Sequence, residues 1–344
     1  MSGDAEGLQR SVWKCPGEAS SQPDYLPSAT LAALWFRAEL LKRLRAFFDE
    51  RGFLEVDTPI LSADTVVDRH LAAFSTELPC GPGRPPRRLW LQTSPEFPMK
   101  RLLAAGAEAI YQVAHVFRRD EIGPLHNPEF TMVEWYLAGD GPEQGMQFLS
   151  DLCEAMLDRG PAERVSYREA FARHVGLDPL TVPTEALVAR CRALRLAVPP
   201  GFAEDDRDTW LDFLLGECVQ AHLGRPRPVI VYDYPASQAM LARVRADDPP
   251  VAERFELYVD GIELANGYHE LLDAAELRRR NRSVNAQRRA DGNAALPEGS
   301  RLLDAMEAGL PAAVGVALGF DRLVMLAFGA TRLAEVLAFP MGRA

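Results

Sequence analysis

The chain has 344 residues, of which 47% are apolar and 25% are charged, and its formal net charge is −11 at pH 7. That length suits one large catalytic domain, and no repeat of fixed period indicates a solenoid. The negative charge disfavours extensive contact with nucleic acid, because binding to a phosphate backbone depends on lysine and arginine side chains. Five cysteines without a Cys-x-x-Cys pair give no sign of structural zinc. Because the cysteines are widely separated and odd in number, we expect a protein of the reducing cytoplasm, and the first thirty residues read as neither a signal peptide nor a membrane span.

The first thirty residues differ in composition from the rest of the chain. They are rich in serine, glycine, proline and charged side chains, and they contain no long apolar run. A segment of this kind cannot bury enough apolar surface to fold alone. We therefore expect a mobile leader over residues 1–30 and a catalytic domain over residues 31–344.

The first predicted helix spans Ala38–Arg51, with Gly52 as its stop. Apolar side chains recur along it at helical spacing, at Leu40, Leu41, Leu44, Phe47 and Phe48. Further along, the block Thr93–Arg101 places Glu96 after a proline at the end of a predicted strand, which would hold the carboxylate rigidly toward an ammonium group. A solvated turn is the alternative for this block taken alone.

The segment Phe117–Tyr136 is dense in groups that bind phosphate and adenine. An apolar run, Ile110–Phe117, predicts a buried strand, so Arg118 would project from its edge into a loop that contains His126 and Asn127. A planar guanidinium that is always charged suits a phosphate group. The alternative for the segment alone is a β-hairpin with solvated charges and with aromatic side chains in the core.

Residues 165–228 contain helix-like stretches, one of them over Trp210–Ala221, and predict a helical insertion. This insertion either shapes how an acceptor molecule docks or forms a helical lid. Val229–Pro235 then reads as a buried strand of the central sheet. A dense arginine run lies in the predicted helix Leu277–Arg289, and it also has two interpretations: a solvated face, or a docking surface for an acidic partner.

Two elements near the C-terminal end carry polar groups suited to a nucleotide. Ile262–Glu270 reads as a strand interrupted at Gly267, with carboxylates at Glu263 and Glu270, and two carboxylates beside phosphates favour Mg²⁺. Gly315–Arg322 reads as a short strand, a glycine turn and the start of an apolar helix. A helix start next to an arginine favours an anion.

The predicted helix Ala38–Arg51, the Phe117–Tyr136 segment and the Gly315–Arg322 element resemble motifs 1, 2 and 3 of the class II aminoacyl-tRNA synthetases. The segment His126-Asn-Pro-Glu-Phe-Thr-Met-Val-Glu-Trp-Tyr136 is similar to the corresponding sequence in the lysyl branch of that family. The resemblance runs from about Leu34 to the last residue. It implies an α+β fold, in which a mostly antiparallel sheet is flanked by helices, and a homodimer that forms through motif 1.

Within that family the chain resembles the elongation factor P lysine ligases, because the segment before the catalytic domain is too short for the anticodon-binding barrel of a lysyl-tRNA synthetase. The resemblance implies that ATP and (R)-β-lysine form a β-lysyl-adenylate, and that the acyl group then passes to a lysine ε-amine of elongation factor P. ATP and Mg²⁺ are the implied cofactors, elongation factor P is the implied partner, and we expect no stable tRNA binding. The alternatives are a lysyl-tRNA synthetase-like enzyme that charges tRNA and a non-catalytic regulator that binds lysine.

The resemblance also implies roles for individual residues. Arg118 and Arg322 would be catalytic, with Arg118 on the α-phosphate and Arg322 on the terminal phosphate. The implied ATP-binding residues are Arg118, Arg119, Asp120, His126, Asn127, Phe130, Glu263, Leu264, Gly319 and Arg322. The implied substrate-binding residues are Ser94, Pro95, Glu96, Tyr136, Glu270 and Ala317. Glu263 and Glu270 are also the implied Mg²⁺ ligands.

Two positions differ from the amino-acid sequences that are usual in the family. The chain reads Arg118-Arg119-Asp120 where relatives carry Arg-Asn-Glu, so Asp120 would offer a shorter carboxylate to the adenine edge. Ala317 stands where tRNA-charging lysyl enzymes usually carry glycine in motif 3. Because one added methyl group reshapes a small pocket, we hypothesise that Ala317 disfavours α-lysine and favours a β-amino acid, by about 1–3 kcal/mol. Activation of both lysines by A317G tests this, and an unchanged preference would refute it.

Overall fold

The structure is a computed structural model that describes Pro23 and residues 25–344. The mobile leader predicted for residues 1–30 therefore lies mostly outside the described residues. The resemblance to class II enzymes concerns the part of the chain that is described.

The described residues contain nine α-helices and twelve β-strands. The helices are α1 (Leu31–Asp49), α2 (Glu96–Ala104), α3 (Pro142–Leu157), α4 (Tyr167–Val175), α5 (Thr184–Ala193), α6 (Arg207–Leu214), α7 (Ala274–Ala290), α8 (Arg301–Gly309) and α9 (Phe320–Phe328). The strands are β1 (Leu54–Glu55), β2 (Leu61–Ser62), β3 (Ser75–Leu78), β4 (Arg87–Leu91), β5 (Ala109–Phe117), β6 (Glu129–Ala138), β7 (Glu163–Ser166), β8 (Val229–Pro235), β9 (Val244–Arg245), β10 (Val251–Val259), β11 (Ile262–His269) and β12 (Ala313–Gly319). None of these helices is both long and apolar enough to cross a membrane.

The first predicted helix is present as α1, but its predicted start is wrong. It begins at Leu31 rather than at Ala38, because the Thr30 side chain caps it there by accepting the backbone N–H of Ala33 at 3.2 Å. Apolar periodicity locates a buried helical face, and it misses the exposed first turns that a capping residue adds.

The main sheet has nine strands in the order β1-β5-β6-β12-β11-β10-β8-β7, with β9 paired to β10. The pairings inside this order are antiparallel, and the pairings at its two ends, β1 with β5 and β7 with β8, are parallel. A second sheet has three strands in the order β2-β4-β3. The predicted α+β fold, a mostly antiparallel sheet flanked by helices, is confirmed.

The two faces of the main sheet have different roles, because side chains alternate between faces along each strand. On β12, Val314, Val316 and Leu318 belong to the main apolar core, which the sheet shares with α1, α3 and α9. Gly315 and Ala317, between them, line a cavity on the other face. The burial of one face therefore decides which residues of each strand reach the site.

Strand β11 runs unbroken through Gly267, which corrects the predicted interruption. A Cβ at this position would lie 2.4 Å from the ring of Phe255 on the neighbouring strand β10. Glycine stands here because an aromatic ring occupies the space of a side chain.

The region predicted as a helical insertion begins within strand β7 and continues through α4, α5 and α6. These helices share a second apolar cluster that contains Tyr167 and Trp210. The helix predicted over Trp210–Ala221 is regular only to Leu214, after which the backbone widens into a π-helical turn over Leu215–Val219. The predicted strand Val229–Pro235 is confirmed as β8.

Candidate active site

A cavity of about 1310 Å³ opens on the face of the main sheet opposite α1 and α3. Its floor comes from β6, β11 and β12, and its rim comes from α6, α7 and residues 66–71. The volume exceeds the range of about 300–1,000 Å³ that is usual for one small ligand. The cavity therefore has room for a nucleotide and a second, smaller molecule side by side.

Arg118 stands directly after β5, as predicted, and its guanidinium carbon lies 5.1 Å from the centre of the Phe130 ring. Nη1 donates to Glu121 Oε1 at 3.2 Å, and Nε donates to the backbone oxygen of Thr93 at 3.4 Å. Arg118, Glu121 and Phe130 all line the cavity, as does Leu264. A fixed positive charge beside an aromatic face suits the phosphates and base of a nucleotide.

Arg322 lies in the first turn of α9, on the same side of the cavity. Its Nη1 donates to the backbone oxygen of Glu263 at 2.8 Å and its Nε to that of Leu125 at 3.1 Å, while Nη2 lies 2.7 Å from His126 Nε2. Burial and the neighbouring Arg322 lower the pKa of His126. The lowered pKa favours the neutral imidazole, whose Nε2 accepts a hydrogen bond from the guanidinium. The structure thus brings Arg118, His126 and Arg322 together.

The structure does not bring Arg119 or Asp120 to the cavity, contrary to expectation. The Arg119 backbone N–H donates to the oxygen of Ala72 at 2.8 Å, and both side chains then point outward. They pair with each other at 3.0 Å and are 56% and 54% exposed. The next residue, Glu121, lines the cavity instead. Glu121 is therefore the carboxylate of this turn that can reach a nucleotide.

Asn127 lines the cavity, but its side chain also fixes the backbone around it. Nδ2 donates to the oxygen of Glu129 at 2.6 Å, and Oδ1 accepts the N–H of Met341 at 2.9 Å. Gly319 and Ala317 line the cavity from β12, as the resemblance implied. Asn127 thus holds the loop that carries His126 against the C-terminal segment.

Carboxylates gather at the other end of the floor strands. Ser94, Glu96, Tyr136 and Glu270 line the cavity there, as implied, whereas Pro95 does not. Glu96 is the first residue of α2, with Pro95 at the N-cap position, and not the end of a strand as predicted. A proline is suited to this place because the first backbone N–H groups of a helix have no partner within the helix.

Glu134 belongs to the same group, and the sequence analysis missed it. Each of its oxygens accepts a hydrogen bond from a hydroxyl group, one from Ser94 Oγ at 2.6 Å and the other from Tyr136 Oη at 2.6 Å. Burial and the nearby Glu96 raise the pKa of Glu134 to about 7. The signal in the sequence was the alternation of Met132, Glu134 and Tyr136 along β6, which places all three side chains on the cavity face.

Lys100 was also missed. It lies one turn after Glu96 on α2, its side chain is 2% exposed, and its Nζ pairs with both Glu96 and Glu270. Burial acts to lower the pKa of Lys100, but Glu270 and Glu96 outweigh burial and hold the pKa above its ordinary value. Burial raises the pKa of Glu270, and Lys100 opposes that shift. The spacing of four between Glu96 and Lys100 on a helix was the available signal.

The structure does not bring together the expected metal pair, because Glu263 lies at the start of β11 and Glu270 directly follows its end. Seven positions along an extended strand correspond to about 23 Å, so the two carboxylates cannot hold one ion. Burial and the neighbouring Glu256 raise the pKa of Glu263, which places these two carboxylates close together. Within residues 25–344, no group of three or more histidine, cysteine, aspartate or glutamate side chains is arranged to hold a metal.

Comparisons with known proteins agree with this arrangement. A family model described as tRNA synthetases class II (D, K and N) matches residues 24–343. The chain is similar to a protein of Mannheimia succiniciproducens named elongation factor P–(R)-beta-lysine ligase, with 46% identity over 94% of this chain and 99% of the relative. Proteins of the same name from Salmonella arizonae and Edwardsiella ictaluri are 47% and 48% identical, each over 94% of this chain and 100% of the relative.

Proposed function

Because the chain belongs to the class II tRNA synthetase family (D, K and N), we propose that it activates (R)-β-lysine with ATP and transfers the β-lysyl group to a lysine ε-amine of elongation factor P. The observation that carries the proposal is one cavity that holds Arg118 and Arg322 around one part of its floor and the cluster Glu96, Glu134 and Glu270 around another. A polyanion and a diamine are complementary to those two parts. The name that the relatives share supports the substrate and the acceptor.

In the first step, a carboxylate oxygen of β-lysine attacks the α-phosphorus of ATP, and the bond from that phosphorus to the leaving diphosphate breaks. Arg118 neutralises the charge that develops on the α-phosphate, and Arg322 holds the terminal phosphate. Phe130 stacks on the adenine, with Arg322 on its opposite face, Leu264 packs against the nucleotide, and Glu121 meets the adenine edge.

Mg²⁺ fits beside the phosphates. Glu263 and Glu256 offer hard carboxylate oxygens of the kind that this ion prefers, and phosphate oxygens and water complete such a site. Bound there, the ion neutralises phosphate charge. Glu270 belongs to the amino-acid end of the cavity.

At that end, three carboxylates meet the ammonium groups of the diamine. Glu96, Glu134 and Glu270 line the cavity, and Lys100 balances one of their charges, so two negative charges face the substrate when all three are ionised. (R)-β-lysine carries two ammonium groups. The fixed charge of the pocket therefore matches the charge of the substrate's amino groups.

In the second step, the ε-amine of the acceptor lysine attacks the acyl carbon of the adenylate. The amide bond forms, AMP leaves with the electron pair of the acyl–phosphate bond, and the amine releases a proton. The acceptor enters between α6 and α7, which form part of the rim of the cavity.

Apolar side chains on α1 support a homodimer formed through motif 1. Leu31 and Trp35 are 71% and 70% exposed. Two large exposed apolar side chains one helical turn apart favour a contact with another chain. The reaction belongs to the cytoplasm, where translation factors work, and it requires no stable binding of tRNA.

Intact-mass spectrometry of the acceptor tests the proposal. The protein is incubated with ATP, purified elongation factor P and either (R)-β-lysine or α-lysine, and tRNA replaces the acceptor in a parallel reaction. We expect elongation factor P to gain the mass of one lysyl group, in the presence of ATP only and more readily with (R)-β-lysine. An acceptor of unchanged mass together with aminoacylated tRNA would overturn the proposal.

A further inference from the structure

Lys100 does not line the cavity, yet it contacts two residues that do. Its side chain is 2% exposed, behind the wall formed by Glu96 and Glu270. These two carboxylates come from different elements, Glu96 from α2 and Glu270 from the position after β11. The lysine is therefore the bridge between a helix and the sheet at the place where the substrate's amino groups are expected.

The negative charges around Glu270 explain why a cation is needed between the helix and the sheet. Glu270 is 1% exposed and is faced by Lys100 and Glu96 from α2, by Glu134 and Tyr136 from β6, and by Tyr268 from β11. Of these groups, Lys100 alone is cationic. Without it, three carboxylates would repel one another in a site with little water, and a buried carboxylate in that position takes up a proton. A protonated Glu270 offers no charge to a substrate ammonium.

We propose that Lys100 is a positioning residue that bridges Glu96 and Glu270, favours the ionised form of Glu270 and holds the two carboxylates at a fixed separation, so that the pocket selects a diamine. The inference deepens the proposed function and rests on it. Lys100 acts through the two carboxylates and has no contact with the substrate. Its effect is confined to the amino-acid end, because the groups that face the nucleotide are elsewhere on the floor strands.

Exchange between ATP and diphosphate that depends on (R)-β-lysine measures the first step without the acceptor. We expect K100M, which keeps the length of the side chain and loses its charge, to raise the KM for (R)-β-lysine at pH 7 about tenfold or more, with the KM for ATP within about twofold of wild type. The rise in the KM for (R)-β-lysine with falling pH should begin at a higher pH in K100M than in wild type, because Lys100 lowers the pKa of Glu270 against the effect of burial. K42M is the matched control, since Lys42 is an exposed lysine on α1 that pairs with Glu39.

A KM for (R)-β-lysine that is unchanged in K100M would overturn the proposal, and so would a rise that is equal for ATP and independent of pH. If K100M does not fold, as judged by its thermal transition, K100R takes its place. This variant keeps the charge, so its KM should follow the pH profile of wild type, and a profile displaced to higher pH would overturn the proposal. Wild-type protein without exchange on either lysine would instead contradict the proposed function itself.

Discussion

Arg118 and Arg119 are neighbours in the chain and have opposite environments. Arg118 packs over Phe130 and lines the cavity, whereas Arg119 pairs with Asp120 in solvent. The turn after β5 directs the two side chains to different sides, because the Arg119 backbone N–H donates a hydrogen bond to the backbone oxygen of Ala72. At the scale of single residues, position in the turn decides which arginine can take part in chemistry.

R118A should lose about 10²- to 10³-fold in the rate of ATP–diphosphate exchange, since a preorganised charge at the α-phosphate is removed. R119A should keep at least half of the wild-type rate, because its partner Asp120 is exposed and surface pairs contribute little. Exchange kinetics with (R)-β-lysine give both values. Equal losses in the two variants would contradict the outward orientation of Arg119.

The pKa of Glu134, raised to about 7 by burial and by Glu96, predicts a pH dependence of substrate binding. Below pH 7 the carboxyl is protonated and attracts an ammonium less, so the KM for (R)-β-lysine should rise as the pH falls from 7 to 6. Above pH 7 the Glu134 carboxylate becomes ionised, and its contribution to the change in KM ends. E134Q should have a higher KM that changes little over the same range. A wild-type KM that is constant between pH 6 and 8 would contradict this assignment.

A second network of ion pairs and hydrogen bonds connects secondary-structure elements. It joins α1 to both sides of the proposed nucleotide site. Arg37 Nη1 pairs with Asp321 at 2.6 Å, and Arg37 Nη2 donates to Thr131 Oγ1 at 2.9 Å. The backbone N–H of Thr131 donates to Asp321 at 3.1 Å. Asp321 precedes Arg322, and Thr131 follows Phe130. One helix therefore fixes the two residues that are proposed to enclose adenine.

R37M should weaken ATP binding although Arg37 does not line the cavity. The buried carboxylate of Asp321 loses its cation, so we expect the free energy of unfolding to fall by about 3 kcal/mol and the KM for ATP to rise, with little change in the KM for (R)-β-lysine. Thermal melts and exchange kinetics measure the two effects. R45M on the same helix is the control, because Arg45 and Glu55 form an exposed pair and its loss costs about 1 kcal/mol or less.

The same elements explain what the sequence could predict. The apolar run before Arg118 predicted the end of β5 and the glycine turn before Arg322 predicted the start of α9, because strand and helix periodicity is local. Glu134 and Lys100 were missed because their roles depend on Ser94 and Glu270, which are distant from them in sequence. The direction of Asp120 was missed because it depends on a backbone bond to Ala72. Contacts between remote segments leave no periodic signal.

Arg69 joins three parts of the whole molecule above the cavity. Its Nη1 pairs with Asp206 at the start of α6 at 2.6 Å, and its Nε pairs with Asp291 at the end of α7 at 2.7 Å. Arg288 on α7 adds a bond to the backbone oxygen of Asp68 at 2.7 Å. These contacts connect the region of α4, α5 and α6 with α7 and with residues 66–71, and together the three parts form the rim of the cavity.

R69A should loosen this rim without disturbing the floor. We expect faster amide hydrogen exchange in residues 66–71 and at the adjoining ends of α6 and α7, and unchanged exchange in β6 and β12. Mass-spectrometric exchange on the free protein measures both. R84A is the control, since Arg84 is an exposed residue between β3 and β4. Exchange in residues 66–71 equal to that of wild type would mean that Arg69 does not hold the rim.

The cavity of about 1310 Å³ is continuous from Arg118 to Glu270, and this continuity has a consequence for inhibitor design. A single molecule that joins adenosine to β-lysine through a stable sulfamoyl linker would occupy both ends at once. Linking the two halves removes the entropic cost of binding the second one separately. Such a bisubstrate compound should bind more tightly than ATP or β-lysine alone, and its diamine part should set its selectivity over enzymes that accept other amino acids.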